Sequence, residues 1–172
     1  MTSSIVETYH WGNDPAYRTS GVVVLNQDKK VMWSRVMDFS VLGFSETLDC
    51  LPLLEFPPKT IVFERFVSYG ESRTKYSEHI LMGLGAIIDR TREAEQFFFR
   101  AIDWKVALAK RTFIEEGFVN PGKSMDKRFS KALATHLTGV KFKTDHEADA
   151  ACLASIGIRH VASHRSAPFE PA

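Results

Sequence analysis

The sequence predicts an α/β protein in which a mixed five-stranded sheet is covered by helices on both faces. Apolar, β-branched runs dominate the first third of the chain, and further on strand-like runs alternate with helical segments. One run, residues 60–63, shows no alternation with polar positions, which is typical of a strand buried on both faces. Strands that alternate with helices favour a mixed sheet between two helical layers.

The individual elements follow from apolar periodicity and from the Gly and Pro positions between the apolar runs. Strands are predicted at residues 5–11, 21–25, 31–39, 60–64 and 97–102. Helices are predicted at residues 44–54, 75–92, 104–116, 125–137 and 145–158. The first three strands follow one another closely, so we expect them to form an antiparallel meander. We expect Gly83 and Gly85 to allow close helix packing, and Phe97, Phe98 and Phe99 to form a buried strand.

Length and composition bound the domain organisation. A chain of 172 residues suits one domain, predicted at 1–160, with a loose tail at 161–172 that contains Pro168 and Pro171. Cys50 and Cys152 are too few for a disulfide framework and are expected to be reduced packing residues. No signal segment or membrane-spanning run is evident, so we expect a cytoplasmic protein that does not bind membranes.

Positive charge is concentrated in one part of the chain. The formal net charge is only +1, so a basic surface must be local. The stretch 100–143 is rich in Lys and Arg and has few acids, and the candidate DNA-binding residues in it are Lys105, Lys110, Lys127 and Arg128. Such a stretch suits a phosphate backbone, although the same pattern is also typical of a solvated helix surface.

Acidic residues and one histidine form a candidate metal site. Asp14 is predicted where a strand meets a turn, and Glu64 ends the strand that is buried on both faces. In the last helix, His146 and Asp149 share a face, as do Asp145 and Asp149. Anionic ligands gathered from separate elements are what divalent cations require, and this chemistry points to a nuclease.

The order of these motifs resembles the RuvC Holliday-junction resolvases of the RNase H-like superfamily. Gly12, Asn13, Asp14, Pro15 and Ala16 resemble the opening motif of that family, IVFERF resembles its second acidic motif, and HEADAAC its closing motif. The segment KYSEHILMGLGAII resembles its next helix, and IDWK and SMDKRFSKAL its basic region. The resemblance extends from about residue 5 to 160. Two departures are Ala16, where the family has Gly, and the stretch 107–122, which is longer than the corresponding loop of the family.

The resemblance implies a crossover junction endodeoxyribonuclease, from a phage or a bacterium, that is a homodimer and acts on four-way or other branched DNA. Two Mg²⁺ or Mn²⁺ ions, roughly 3.5 to 4 Å apart, would serve phosphodiester hydrolysis in each active site. Asp14 is the expected bridging ligand, with Glu64 on one ion and His146 and Asp149 on the other. Asp145 is expected either as an extra ligand or as a residue that orients His146.

Two aromatic residues and one helix allow alternative interpretations. Phe66 and Tyr69 follow Glu64 into a polar loop, where they could stack on unpaired bases, although a core role for Phe66 is as well supported. The apolar helix at 75–92 could supply a dimer interface or intramolecular core through Ile80, Leu84, Ile87 and Ile88. The alternatives to a junction resolvase are a nuclease of the same fold with another DNA or RNA target and a non-catalytic module that binds branched DNA.

Overall fold

The computed structural model describes residues 7–16, 19–39, 48–65, 74–122 and 124–165. The strands are β1 (Tyr9–Pro15), β2 (Thr19–Asn26), β3 (Val31–Asp38), β4 (Pro58–Glu64) and β5 (Glu95–Phe99). The helices in this part of the chain are α1 (Thr74–Arg90), α2 (Ala101–Glu116), α3 (Lys127–Thr138) and α4 (Asp145–Arg165). Of these helices, none combines the length and apolarity needed to cross a lipid bilayer.

The strands form one mixed sheet in the order β3-β2-β1-β4-β5. The pairs β1–β2 and β2–β3 are antiparallel, which confirms the predicted meander. The pairs β1–β4 and β4–β5 are parallel, and Asn13 lies opposite Phe63. Asp14 comes directly after Asn13, and Glu64 directly after Phe63. Because β1 and β4 run in the same direction, these two acids lie side by side at the carboxyl ends of the two strands.

Helices cover both faces of the sheet, as predicted. On one face, side chains of α2, α3 and α4 pack on β2 and β4 around Val23, Leu25 and Val62. On the other face, α1 packs on Trp11 and Ile61. Residues 60–63 of β4 are fully buried, which confirms the strand predicted to be covered on both sides.

Small residues bring α4 into close contact with three strands. A Cβ atom at Gly12 would collide with the backbone oxygen of Ala150, and one at Gly21 with the backbone of His146. Further along, Gly157 of α4 lies directly against the side chain of Thr60. The helix therefore crosses β2, β1 and β4 in turn, and its first turn lies over β2, where the His146 side chain reaches Asp14 near the end of β1.

Two predicted elements in the first half of the chain are corrected. The strand predicted at 5–11 is β1, which continues to Pro15, so Asp14 lies within the strand; residues 1–6 are outside the described part. The helix predicted at 44–54 is helical only at Leu48 and Asp49 within the described residues, and the chain then forms turns. Pro52 has no backbone N–H and disfavours helical conformation at the residue before it, which explains the early end.

Two further corrections concern the second half of the chain. The strand predicted at 97–102 ends at Phe99, and α2 begins at Ala101 after the extended Arg100. Because β5 is an edge strand, Phe98 is 45% exposed and stacks on Phe63, so the predicted burial holds only in part. Helix α4 continues past its predicted end to Arg165, so the first residues of the predicted tail are helical.

Helix α1 supplies intramolecular core. Ile80, Leu84 and Ile87 are buried, and Ile88 packs against the same cluster. Gly83 faces the ring of Phe39, with 3.0 Å between an added Cβ and the ring, as predicted for close packing. The prediction of close packing at Gly85 is wrong, because an added Cβ there would meet no atom within 4 Å. Cys50 and Cys152 are reduced, as expected.

Candidate metal centre

Three carboxylates converge at the edge of the sheet where β1 and β4 end. Asp14 comes from β1, Glu64 from β4 and Asp149 from α4, and one oxygen from each lies within 4.8 Å of the others. The parallel pairing of β1 and β4 places the first two acids together. The close packing of α4 on Gly12 and Gly21 brings the third over them. Carboxylate oxygens in such a group are the ligands that Mg²⁺ and Mn²⁺ prefer.

The cluster disfavours its own negative charge when no cation is present. Burial raises the pKa of Asp14 above its ordinary range. Burial, with the charge of Asp14 beside it, raises the pKa of Glu64 to about 7. Desolvation and like-charge repulsion both favour the protonated acid, and a bound cation would reverse the two effects. The site is therefore suited to binding positive charge.

His146 contacts Asp14 directly. Its Nδ1 atom lies 2.7 Å from Oδ2 of Asp14, and this hydrogen bond raises the pKa of the imidazole. The ring is part of the site, but it lies outside the group of three acids whose oxygens converge. Because Nδ1 is the ring nitrogen that faces Asp14, His146 would bind a cation beside Asp14 by exchanging this hydrogen bond for the metal, and its ligand role stays a prediction.

Asp145 has a different partner. One of its oxygens lies 2.7 Å from Nζ of Lys127, and this hydrogen bond lowers the pKa of Asp145. Among the described residues, the group of converging acids does not include Asp145. Asp145 directly precedes His146 in sequence, so the pair of Asp145 and Lys127 lies at the margin of the site. Glu147, also in the first turn of α4, accepts a hydrogen bond from Ser34 instead of joining the acids.

Asp149 shows that the acids fit a divalent cation. Its Oδ2 atom lies 3.1 Å from Nζ of Lys105, whose side chain is 15% exposed. Its Oδ1 atom is buried and has no hydrogen-bond partner among the residues that the structure describes. Buried carboxylate oxygens without a partner are rare and destabilise the folded protein, because the oxygen loses its hydrogen bonds to water and forms none within the protein. A cation held with Asp14 and Glu64 would satisfy this atom.

Trp104 is a residue of the site that the sequence did not reveal. Its indole nitrogen donates a 2.9 Å hydrogen bond to Oε2 of Glu64. The available signal was its position: a tryptophan directly before Lys105, near the start of a predicted helix. A buried indole N–H needs an acceptor, and here the acceptor is a candidate metal ligand.

The other predicted DNA-binding residues lie on the surface. Lys110 and Arg128 are exposed, and Lys127 is exposed apart from its pairing with Asp145. Lys110 is five residues after Lys105, about 140° further around α2, so the two side chains leave the helix in different directions. Phe66 and Tyr69 lie outside the described residues.

Cation binding is expected to release protons and to weaken as the pH falls through about 7. The reason is that Glu64, with its raised pKa, must lose a proton before it can bind an ion. Titration calorimetry with Mn²⁺ at several pH values, in buffers of different ionisation enthalpy, measures both the affinity and the protons released. An affinity that stays constant between pH 8 and pH 6 would contradict this prediction.

Comparison with known proteins gives a fold but no relative by sequence. No protein-family model matches this chain, and no curated protein sequence matches it. The structure of Thermus thermophilus RuvC in complex with a Holliday junction substrate matches with a TM-score of 0.65 and 17% identity, over 96% of this chain and 99% of that chain. A second structure of Thermus thermophilus RuvC gives a TM-score of 0.60 and 17% identity, over 92% of this chain and 96% of that chain.

A weaker match is the fowlpox virus Holliday junction resolvase, with a TM-score of 0.45 and 10% identity over 89% of this chain and 99% of that one. The first two matches show that the chain has the RuvC fold, and they confirm the predicted RNase H-like mixed sheet with helices on both faces.

Proposed function

We propose that this protein is a metal-dependent endodeoxyribonuclease that hydrolyses phosphodiester bonds in branched DNA, with Holliday junctions as its main substrate. The observation that carries the proposal is the convergence of Asp14, Glu64 and Asp149, with a buried oxygen on Asp149 that has no partner in the described part of the chain. The fold supports the choice of substrate, since the matching RuvC structure holds a Holliday junction.

Asp14, Glu64 and Asp149 would hold the metal, and His146 is the fourth proposed ligand. A divalent ion bound there would supply the positive charge that stabilises the phosphate in the transition state and that acidifies the attacking water. We retain the expectation of two Mg²⁺ or Mn²⁺ ions in each site, and the stoichiometry of the Mn²⁺ titration tests it.

The remaining side chains position groups and bind DNA. The hydrogen bond between His146 and Asp14 fixes the orientation of that carboxylate. Lys105 offsets part of the negative charge while its ammonium group contacts Asp149, and we propose that it also binds a phosphate of the DNA. Lys127 is 82% exposed beside Asp145, and this exposure supports its proposed contact with the DNA backbone.

A panel of labelled substrates tests the proposed function. The protein would be incubated with a four-way junction, a fork, linear duplex and an RNA:DNA hybrid, each in Mg²⁺ and in Mn²⁺. We expect cleavage of the four-way junction in preference to linear duplex. Preferred cleavage of the hybrid would favour a nuclease of the same fold with an RNA target. Binding of the junction without cleavage in either metal would favour a non-catalytic DNA-binding module.

Lys127→Ala is expected to weaken binding of four-way DNA and to lower the slope of log affinity against log salt by about one, because one phosphate contact is lost. Fluorescence anisotropy over a salt series measures both quantities, in a Glu64→Gln background that prevents cleavage. Lys29→Ala is the matched control: Lys29 pairs with Glu116 and follows β2, at the end of the sheet opposite the acids. Equal slopes for the two variants would identify Lys127 as an ordinary surface residue.

The protein is further proposed to be a homodimer, because two symmetric sites match the two-fold symmetry of a four-way junction. The buried residues of α1 pack inside the protomer and are not available for a dimer interface. Leu81 and Met82 of the same helix are 56% and 57% exposed and could contribute to one. Light scattering after size-exclusion chromatography measures the mass, and a monomer at micromolar concentration would contradict this part of the proposal.

A further inference from the structure

Two consecutive residues of α2 hold two of the three converging acids. Trp104 is 1% exposed, and its indole Nε1 donates a hydrogen bond to Oε2 of Glu64. Lys105 reaches Oδ2 of Asp149, and its ammonium group lies 5.0 Å from the centre of the Trp104 ring. The first turn of α2 therefore sets the position of side chains that come from β4 and α4.

The indole determines which oxygen of Glu64 is available. A tryptophan side chain has one N–H donor and no acceptor, so it can occupy only one oxygen of a carboxylate. That oxygen is Oε2, and within the described ranges no other side chain hydrogen-bonds to Glu64. Because the donor carries no net charge, it fixes the carboxylate without adding a positive charge that would repel a cation.

A purely structural role explains this contact less well. The other tryptophan buried in the core, Trp11, donates its indole N–H to the backbone oxygen of Phe56 at 2.9 Å. Trp104 is equally buried but donates to a carboxylate that two neighbouring acids and burial already destabilise. Hydrogen bonds to candidate ligands from residues outside the ligand set are a common means of fixing the ligand in its binding orientation.

We propose that Trp104 is a positioning residue of the metal centre: its indole N–H fixes the Glu64 carboxylate so that Oε1 is left for a divalent cation. The inference rests on the proposed function. It assigns a role to a residue that neither binds the metal nor contacts the substrate.

Trp104→Phe is the variant that tests this role, since it removes the donor and keeps an aromatic ring. Trp104→Ala is unsuitable because Trp104 lines a cavity of about 310 Å³ with Leu108 and Ile156, and the extra space would test packing instead. We expect Trp104→Phe to bind Mn²⁺ roughly 10-fold more weakly in calorimetry without DNA. Junction cleavage should fall at low Mn²⁺ and recover largely when the ion is saturating.

Trp11→Phe is the matched control, because it removes an equally buried indole donor on the other face of the sheet. This variant is expected to lose stability and to keep the Mn²⁺ affinity of the wild-type protein. A spectroscopic measurement adds to the comparison. In ¹⁵N NMR spectra, the indole resonance that Trp104→Phe removes should shift when Mg²⁺ is added to the wild-type protein, while that of Trp11 should not.

The outcomes separate the inference from the proposed function. Equal Mn²⁺ affinity in the wild-type protein and Trp104→Phe would overturn the inference alone, and so would a Trp104 indole resonance that does not move with Mg²⁺. Failure of the wild-type protein to bind either ion would overturn the proposed function and the inference together.

Discussion

Replacing Asp14 by Asn or Glu64 by Gln is expected to reduce single-turnover cleavage of a four-way junction by about 100- to 1,000-fold, with junction binding largely unchanged. Each change keeps the shape of the side chain and removes the charge that binds a cation. Several kcal/mol of transition-state stabilisation would be lost, and each 1.36 kcal/mol corresponds to about tenfold in rate. Quenched-flow cleavage and anisotropy on the same junction measure the two effects separately.

Stability provides the control for this prediction. In metal-free protein at pH 8, Glu64→Gln should be at least as stable as the wild-type protein, because it removes a buried charge that lies beside Asp14. The difference should shrink as the pH falls below about 7, since Glu64 then takes up a proton and its charge is lost in the wild-type protein too. A loss of cleavage smaller than about 100-fold would remove these residues from the metal site.

The sequence predicted the sheet well because its signals are local. The meander, the buried fourth strand and the long apolar helix all follow from periodicity and from the positions of Gly and Pro. The errors arose where tertiary position decided the outcome. Phe98 looks like a core residue in sequence, but β5 is an edge strand, so on its outer side there is no further strand whose side chains could pack beside Phe98.

The candidate site was predictable in part for the same reason. Asp14 and Glu64 could be placed together because each ends an apolar run. The contacts of Trp104 and Lys105 could not be predicted, since their partners lie 40 and 44 residues away in the chain and no periodicity connects them. The pairing of Asp145 with Lys127 could not be predicted either. The spacing of Asp145 and Asp149 shows that they can share a helix face, but it does not show that a lysine from α3 forms an ion pair with Asp145.

Gly12→Ala is expected to destabilise the protein by about 3 kcal/mol or more, because the added methyl group would collide with the backbone of α4 at Ala150. Neither partner can yield easily: β1 is held between β2 and β4, and the neighbouring α4 residues Ala148 and Ala151 are fully buried. Any shift of α4 away from β1 also moves Asp149 away from Asp14. Urea unfolding measures the stability, and Mn²⁺ calorimetry of the remaining folded protein measures the damage to the site.

Gly85→Ala is the matched control, with the opposite sign. Gly85 lies on the exposed side of α1, and a Cβ added there meets no atom within 4 Å. Alanine is favoured over glycine inside a helix by about 0.5 to 1 kcal/mol, so this variant should gain that stability. The same methyl group is thus expected to stabilise one site and disrupt the other. Equal stability of the two variants would show that α4 does not press on β1, and would remove the physical reason for placing Asp149 beside Asp14.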